Sequence, residues 1–283
     1  MRGSPLPKVL LFSGAFGSRA IHWDALIRIP EAAEWNLRLA LCHSGRVMPV
    51  NLSNPLPPGA LLLGIDTCGP MGTVALGRLA GGAVEILGQI ELEGRSYSST
   101  LVSAVGRVLA EAGVALKDLG CIVAVSGPGS FIGVRVGLSA VKGLAEAAQI
   151  PVVAVSRLEV LALKAGVAWA AIDAHRHEVF LRAGEAGQEA RELLAGAPEF
   201  AALAPPSRIA ISDEAAATLL AAAWPGTELL HLAAPTAADA LSLAAPRAAA
   251  GEFADLALLD GHYLRRSDAE IFGEPATAAT ERA

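Results

Sequence analysis

The sequence predicts an α/β fold of two lobes, and three features carry that prediction. An apolar run at residues 121–125 leads through a glycine-rich loop into a helical pattern, which is typical of a strand–loop–helix unit. Strand patterns at 72–78 and 83–92 flank an Ala-Gly-Gly turn at 80–82, which is a hairpin signal. A second, degenerate series of strand and helix patterns starts near Ala168.

The first half of the chain alternates strands and helices in a regular order, and we assign residues 59–160 to an N-terminal lobe. In the first predicted helix, Leu101, Val105, Val108 and Ala112 recur at helical spacing. The pattern predicts strands at 61–66, 72–78 and 83–92, a helix at about 98–112, a strand at 121–126, a helix at 134–149 and a strand at 151–156.

The second half predicts a C-terminal lobe at residues 161–270, followed by a tail at 271–283. The boundary between the lobes falls near residues 156–168. The pattern predicts strands at 168–173 and 178–183 and Ala-rich helices at about 213–224 and 236–251.

Residues 1–58 do not share this organisation. They contain Trp23 and Trp35, show no sustained hydrophobic period and end in the proline-rich run NLSNPLPPG. The apolar run at 9–17 is too short and interrupted for a signal peptide. We expect a poorly structured N-terminal extension, which a translation start at Met48 would also explain.

The composition favours a cytoplasmic protein that does not hold RNA by itself. Of 283 residues, 53% are hydrophobic and 18% are charged, and the net charge is −6 without a Lys/Arg cluster. The isolated Cys42, Cys68 and Cys121 are typical of core residues in a reducing compartment. No apolar run approaches the ~18 residues of a membrane span, so no membrane association is expected.

The loop at 126–133 has the composition of an anion-binding turn. Gly127, Gly129 and Gly133 permit tight turns, and Ser130 is placed to cap the following helix, whose free N–H groups suit a phosphate. The spacing fits neither common phosphate loop: the third glycine is one residue late for a dinucleotide fingerprint, and no Gly-Lys-Ser/Thr follows, as a Walker loop requires. A ligand loop and a loop that serves only chain reversal and helix packing both fit these residues.

Four segments together resemble a known family. The sequence GPGSFIGVRVG is similar to the GPGSFTG-[LV]-R-[IV]-G signature of the TsaB (YeaZ) family. LLLGIDTCGPMGTVAL at 61–76 resembles that family's opening strand and return strand. AAIDAHRHEVFLRA at 170–183 resembles its A-x-I-D-A-R-x-x-E-V-Y segment, and YLRRSDAE at 263–270 its closing Y-L-R motif. The motifs keep the family's order and cover residues 59 to about 270.

The resemblance implies an actin-like ATPase (ASKHA) fold with a degenerate second lobe, and a role in tRNA modification. Members of this family are components of the bacterial machinery that makes threonylcarbamoyladenosine beside the anticodon. The resemblance implies a non-catalytic scaffold that pairs with a TsaD-type transferase and works with a TsaE-type ATPase, with tRNA bound through the complex. It implies that the chain has no cofactor of its own and that any ATP and Mg lie at the subunit junction. It also implies a homodimer when the chain is alone.

Two positions bear on catalysis. The TsaD-type transferase carries a H-x-x-x-H metal pair on the corresponding helix, where this chain has Tyr97 and Leu101. A phenol and an isobutyl group do not hold that metal, so the resemblance implies no metal site and no catalytic residue. The alternatives are an autonomous ASKHA-type kinase or ATPase, whose adenosine-binding motif we do not find in residues 168–270, and an autonomous dimer.

Asp66 and Arg135 are the charged residues of the candidate ligand site. Asp66 ends the first strand, where it is able either to orient a magnesium-bound water or to cap the turn TCGPMG. Arg135 is able to pair with a phosphate or a partner carboxylate, or else to be a solvated surface charge. The candidate ligand or anion set adds the loop residues Gly127, Gly129, Ser130 and Gly133.

Three residues depart from the family pattern. Ile132 stands where the signature usually has Thr, which removes a hydroxyl able to cap the helix or contact a phosphate. His175 and His177 stand where the family more often has Arg and a small residue. On a strand the two histidines would share a face and be able to bind a metal, but no other Cys or His lies nearby and Glu178 would point away, which favours a surface or turn role.

The predicted helix 134–149 has a second apolar face. One stripe suits packing on the sheet, and the other consists of mostly small side chains: Val136, Ala140, Gly143 and Ala147. Because a surface helix needs only one apolar face, the second stripe is expected to be covered. The predicted helix 98–112 is able to cover it, while the resemblance favours a helix bundle shared with the TsaD-type partner and makes this stripe the predicted interface.

Overall fold

A computed structural model describes residues 54–93, 96–184 and 190–265, which form two five-stranded sheets with helices packed against them. The strands are β1 (Leu61–Asp66), β2 (Met71–Ala80), β3 (Ala83–Glu93), β4 (Leu119–Val125), β5 (Val152–Val155), β6 (Ala170–Asp173), β7 (Val179–Ala183), β8 (Arg191–Ala195), β9 (Arg208–Ile211) and β10 (Glu228–His231). The helices are α1 (Tyr97–Glu111), α2 (Phe131–Ala148), α3 (Arg157–Ala165), α4 (Ala197–Ala202), α5 (Glu214–Ala223) and α6 (Ala237–Ala250).

The first sheet, with the order β3-β2-β1-β4-β5, forms the N-terminal lobe. β1 pairs in parallel with β4 and antiparallel with β2, which turns back as a hairpin into β3. The central strands β1 and β4 are buried on both faces, which explains why each is a continuous apolar run instead of an alternating one.

Helices cover both faces of this sheet. A side chain at Gly72 would meet Tyr97 of α1, and one at Gly77 would meet Leu241 of α6. Because these positions on β2 are an odd number of residues apart, they point to opposite faces. α2 contacts α1 as well as β1 and β4, so the lobe has three layers.

The second sheet, with the order β10-β9-β6-β7-β8, is smaller. β6, β7 and β8 form an antiparallel meander, and β9 and β10 continue the sheet in parallel with β6. Its core contains an aromatic cluster in which Phe200 and Trp224 meet edge to face with ring centroids 5.2 Å apart. This favourable geometry gives a lobe with few large side chains a rigid centre.

The α/β fold is confirmed, and every element predicted for the first lobe is present. The predicted helix 134–149 begins earlier, at Phe131, because Ser130 caps it there. In the second lobe, the predicted elements correspond to β6, β7, α5 and α6. The prediction missed α3, α4, β8, β9 and β10; the last four have only four to six residues, too few to show a period.

Helix α6 differs from the prediction in its location. It lies within residues 161–270, which the sequence assigned to the C-terminal lobe, but it contacts all five strands of the first sheet. Its first backbone N–H, at Ala237, donates to the hydroxyl of Thr73 on β2 at 2.7 Å. Its buried side chains are small apart from Leu241: Ala237, Ala240, Ala244, Ala245 and Ala248. The N-terminal lobe is therefore completed by a segment that follows the second lobe.

Residues 54–58 also differ from the predicted extension at 1–58. Leu56 packs against the core of the first lobe, and its N–H donates to the carbonyl of Ala248 on α6 at 3.2 Å. These residues belong to the folded lobe because they pack under α6. The rest of the predicted extension (1–53), residues 266–270 of the closing motif and the predicted tail at 271–283 lie outside the described residues.

Two composition-based expectations can be compared with the described residues. Cys68 and Cys121 are buried and not in disulfides, as expected for core residues. Burial raises the pKa of Cys121 to about 12. Within the described ranges, no helix combines the length and apolarity that crossing a bilayer requires.

We expect a chain that begins at Gly59 to melt a few degrees below one that begins at Asn54. The shorter chain loses the apolar contacts of Leu56 and its hydrogen bond to Ala248, together about 1–2 kcal/mol, which is a few degrees for a domain of this size. Thermal unfolding followed by circular dichroism measures both chains. Equal midpoints would show that Leu56 contributes nothing to the lobe.

Candidate functional site

The centre of the N-terminal lobe is a close contact between two turns that follow parallel strands. The turn after β1 contains Thr67 and Cys68, and the glycine loop follows β4. The hydroxyl of Thr67 donates to the carbonyl of Gly133 at 2.7 Å, and the N–H of Ser130 donates to the carbonyl of Cys68 at 2.8 Å. Two of the sequence motifs, far apart along the chain, therefore meet here.

Three glycines are required by this contact. A Cβ atom at Gly129 would overlap the carbonyl oxygen of Cys68, and one at Gly133 would overlap that of Thr67. A Cβ at Gly137, one helical turn later, would overlap the hydroxyl oxygen of Thr67. The glycine spacing therefore lets α2 pack directly on the neighbouring turn.

Several polar groups of the loop form hydrogen bonds within the protein. The N–H of Gly133 donates to the hydroxyl oxygen of Ser130 at 3.3 Å, and the carbonyl of Gly127 accepts from the N–H of Arg157 at 2.7 Å. Gly127 also has a φ of +115°, which residues other than glycine rarely adopt. This geometry supports the packing interpretation of the loop, and anion binding by it stays a prediction.

A buried ion pair lies beneath these turns. Asp66 is 1% exposed, and its Oδ1 accepts from the N–H of Cys68 at 2.8 Å. Its Oδ2 lies 3.6 Å from Nε of Arg157, the first residue of α3, which is 3% exposed. The geometry agrees with the turn-capping interpretation of Asp66. The orientation of a magnesium-bound water by Asp66 stays a prediction.

Tyr97 and Leu101, the two residues that the resemblance sets against a metal pair, are both buried on α1. The Tyr97 hydroxyl donates to the carbonyl of Gly69 at 2.8 Å. Burial, followed by the negative charge of Asp66, raises the pKa of Tyr97 to about 12, so the phenol keeps its proton at neutral pH. Both side chains therefore pack the lobe together.

Arg135 lies on the surface against two aromatic rings. Its guanidinium carbon is 3.9 Å from the ring centroid of Phe131, and its Nε donates to the hydroxyl of Tyr263 at 3.4 Å. The ring of Phe131 stabilises the cation above it. The hydrogen bond to Tyr263 joins the arginine of the loop signature to the closing motif. Ile132 is 73% exposed, and Ser130 supplies the helix cap that a threonine would otherwise be placed to give.

His175 and His177 lie in the turn between β6 and β7 and not on a strand. The φ angle is +60° at His175, +57° at Arg176 and +61° at His177. Because these residues are not extended, the shared-face geometry of a strand does not apply. Nδ1 of His175 lies 2.7 Å from Oδ2 of Asp173, whose Oδ1 also accepts the His175 N–H at 2.9 Å. The predicted turn role fits this geometry.

Arg265 of the closing motif holds this turn. Its Nη1 donates to the carbonyl of Ala174 at 2.6 Å, and its Nη2 pairs with the carboxylate of Glu178. The N–H of Ala174 in turn donates to the carbonyl of Glu178 at 3.0 Å. Residues that match two separate family motifs therefore form one cluster.

Glu192 on β8 links the lobes, and no sequence pattern indicated it. Its carboxylate accepts hydrogen bonds from Ser156, which follows β5, at 2.6 Å and from Arg182 of β7 at 2.8 Å. Nε2 of His262 lies 2.9 Å away. Burial raises the pKa of Glu192, but its contacts with His262, Ser156 and Arg182 together hold that pKa below its ordinary value.

The two lobes enclose a cavity of about 1160 Å³. Its apolar wall includes Phe131, Val134, Ile172 and Phe180. Its polar lining includes Glu93, Arg157, Asp173, His175, Asp213 and Arg265. The cavity therefore joins an apolar wall to charged groups from both lobes.

The predicted interface stripe on α2 is partly open. Val136 and Ala140 are half-buried against the first core, whereas Gly143 and Ala147 are exposed. A Cβ atom at Gly143 would meet nothing within 4 Å. α1 contacts α2, but within the described residues it leaves this end of the stripe uncovered.

Comparison with known proteins supplies the family. The family model described as TsaD, tRNA N6-adenosine threonylcarbamoyltransferase, matches residues 87–269. The tRNA N6-adenosine threonylcarbamoyltransferase of Novosphingobium aromaticivorans is 31% identical over 194 residues, which are 67% of this chain and 55% of that protein. The tRNA threonylcarbamoyladenosine biosynthesis protein TsaB of Escherichia coli is 34% identical over 128 residues, 42% of this chain and 52% of that protein. The chain thus spans about half the length of these curated relatives.

A solved structure completes the comparison. A Pseudomonas aeruginosa protein described as similar to peptidase YEAZ is 31% identical, with a TM-score of 0.61, and the match covers 73% of this chain and 100% of that one. The chain belongs to the TsaB (YeaZ) family. The predicted family and its ASKHA-type fold are confirmed.

The signature residues of the TsaB family now have physical roles in this chain. The loop glycines admit the backbone of Thr67 and Cys68, and Arg135 packs against the closing motif. The sequence patterns did not indicate Arg157 or Glu192. The place of Arg157 as the first residue of α3, where a cation opposes the helix dipole, became visible only once that helix was known.

We expect Gly129→Val to lower the free energy of unfolding of this TsaB-family protein by about 1–3 kcal/mol. The new side chain would overlap the carbonyl of Cys68, so one of the two turns must shift. Urea unfolding measures the change, with Gly143→Val as the matched control because that position is open and should change stability by less than about 0.5 kcal/mol. A Gly129→Val protein as stable as its parent would contradict the packing role of the loop.

We expect Glu192→Gln to destabilise the protein at neutral pH by about 1–3 kcal/mol, since a buried charged acceptor is lost. The folded state holds the pKa of Glu192 below its unfolded value of about 4.3, so its contribution is complete above that pH. The contribution disappears as pH falls through the folded pKa, and the two proteins should then converge.

Urea unfolding of both proteins from pH 7 down to pH 3 measures this. Glu228→Gln is the control, because Glu228 pairs with Arg208 on the surface, where an ion pair contributes little. A difference between Glu192→Gln and its parent that does not change with pH would show that the charge is not the cause.

Proposed function

We propose that the chain is a non-catalytic subunit in the synthesis of threonylcarbamoyladenosine on tRNA, and that it acts by pairing with a TsaD-type transferase. Membership of the TsaB family supports the role in this modification, since the Escherichia coli relative is named as a biosynthesis protein for that nucleoside. The pairing is supported by the partly open stripe on α2.

The state of Tyr97 and Leu101 carries the non-catalytic part of the proposal. Zinc-type sites use imidazole, thiolate or carboxylate ligands, whereas the Tyr97 phenol stays neutral and its O–H donates a hydrogen bond to the carbonyl of Gly69. Leu101 has no donor atom and is buried in the core. The metal and the transfer chemistry therefore belong to the partner in this proposal.

The exposed small residues support a helix-to-helix interface. Gly143 and Ala147 of α2 lie on the surface, and Gly106 of the neighbouring helix α1 is also exposed with open space above it. Since the distance between packed helices depends on the side chains at the contact, these residues allow a partner helix to approach closely. The same face would serve a homodimer when the partner is absent.

The remaining assignments follow from this one. In the cytoplasm, a TsaE-type ATPase would complete the complex, and any ATP and Mg would lie at the subunit junction. With a net charge of −6, the chain would contact tRNA chiefly through its partner.

Co-purification with the TsaD-type protein of the same genome tests the proposal. Gly143→Glu should weaken the complex at least ~10-fold, because a buried unpaired charge at an interface costs more than 1.4 kcal/mol. Ala140→Arg should act in the same direction. Lys142→Glu is the matched control, since Lys142 lies on the polar strip of α2, away from the stripe that contains Gly143.

The outcomes separate the two parts of the proposal. The isolated chain should show no threonylcarbamoyl transfer, while the complex should be active. Failure of the unaltered chain to bind the transferase, or turnover by the chain alone, would contradict the scaffold role. A folded Gly143→Glu protein that binds as the parent does would show that the interface lies elsewhere.

A further inference from the structure

Arg157 is a buried cation on the wall of the interlobe cavity. Its side chain lines the cavity although the residue is 3% exposed, and Nη2 lies against Gly69, another residue of the lining. Among the described residues, Nε has no hydrogen-bond acceptor, and the nearest carboxylate is that of Asp66 at 3.6 Å. Nε of this guanidinium is thus held near Asp66 by charge and makes no hydrogen bond.

This position is unfavourable for an arginine in two ways. A guanidinium carries five N–H donors, and burying donors without acceptors costs free energy. Arg157 is also the first residue of α3, where the helix dipole disfavours a positive charge. The ion pair with Asp66 explains why a positive charge lies here, but it leaves Nε without an acceptor, which a ligand in the cavity would supply.

We propose that the interlobe cavity binds an organic monocarboxylate, with the carboxylate on Arg157 and the apolar body of the ligand against Phe131, Val134, Ile172 and Phe180. The planar guanidinium matches a carboxylate with two parallel hydrogen bonds. Because Asp66 offsets part of the arginine's charge, a singly charged carboxylate suits the site better than a doubly charged phosphate.

The size and the lining of the cavity agree with this ligand class. Its volume of about 1160 Å³ accommodates a small organic molecule, and ligand sites usually combine apolar walls with a few placed polar groups. The carboxylate could come from a free small molecule or from the C-terminus of a peptide. The proposal does not depend on partner binding, because the stripe with Gly143 and Ala147 is not part of the lining.

Calorimetric titration of the full-length chain tests the site with hexanoate and phenylacetate, each compared with its neutral amide. We expect at least one acid to bind 10-fold or more tightly than its amide. Arg157→Met should abolish this preference. Arg157→Lys keeps the positive charge but not the paired N–H groups of the guanidinium, so it should retain part of the preference. Arg208→Met is the matched control: it removes a surface arginine that pairs with Glu228 outside the lining, and should keep the preference.

A second variant covers the case in which Arg157→Met does not fold. A Cβ atom at Gly69 would overlap Nη2 of Arg157, so Gly69→Ala displaces the guanidinium without removing its charge, and should weaken acid binding at least 5-fold. A hexapeptide ending in leucine, with a free or an amidated C-terminus, distinguishes the two sources: binding of the free form alone assigns the site to a chain terminus.

Three results would overturn the proposal. The first is that the acids bind no more tightly than their amides, or that neither the acids nor the free peptide bind at all. Another is an acid preference that survives in every folded variant of Arg157 and Gly69. The third is binding of inorganic phosphate where the carboxylates fail.

Discussion

The direct packing of the glycine loop on the turn at Thr67 and Cys68 sets the geometry of the whole cleft. Because Gly129 and Gly133 lack side chains, the start of α2 touches backbone atoms of that turn. The same loop accepts a hydrogen bond from the N–H of Arg157 through Gly127, which fixes the start of α3. One close contact at glycines therefore positions two helices and the buried charges beside them.

The two buried acids near the cavity differ in how many hydrogen bonds they accept. Glu192 accepts hydrogen bonds from Ser156 and Arg182 and lies beside His262, so its carboxylate has partners in both lobes and in the C-terminal segment. Contacts of this kind favour one arrangement of the parts that they join. Asp66 is bonded on one oxygen only, and its other oxygen faces Arg157 beyond hydrogen-bond distance. The first acid is a structural joint between the lobes, while the second leaves a cation with unused donors beside a cavity.

The sequence predicted the first lobe well because its elements are long and periodic, and the glycine spacing marked the strand–loop–helix unit. It did not show what the glycines touch, since Thr67 and Gly133 are 66 residues apart and nothing local records the contact. Arg157 and Glu192 were missed for the same reason: a single charged residue in a short element looks like a surface residue until its partners are known. The Ala-rich pattern of α6 correctly indicated a helix, but hydrophobic spacing does not say which sheet a helix covers.

The return of α6 to the first sheet has a consequence for the order in which the protein can fold. During synthesis the strands of the first sheet leave the ribosome early, yet the helix that covers one of their faces is made only after the second lobe. Until then, apolar side chains of β1, β2 and β4 remain exposed on that face, and such surfaces are prone to aggregate or to bind chaperones. The N-terminal lobe therefore cannot finish folding before the second lobe has been synthesised, although most of its sheet is made first.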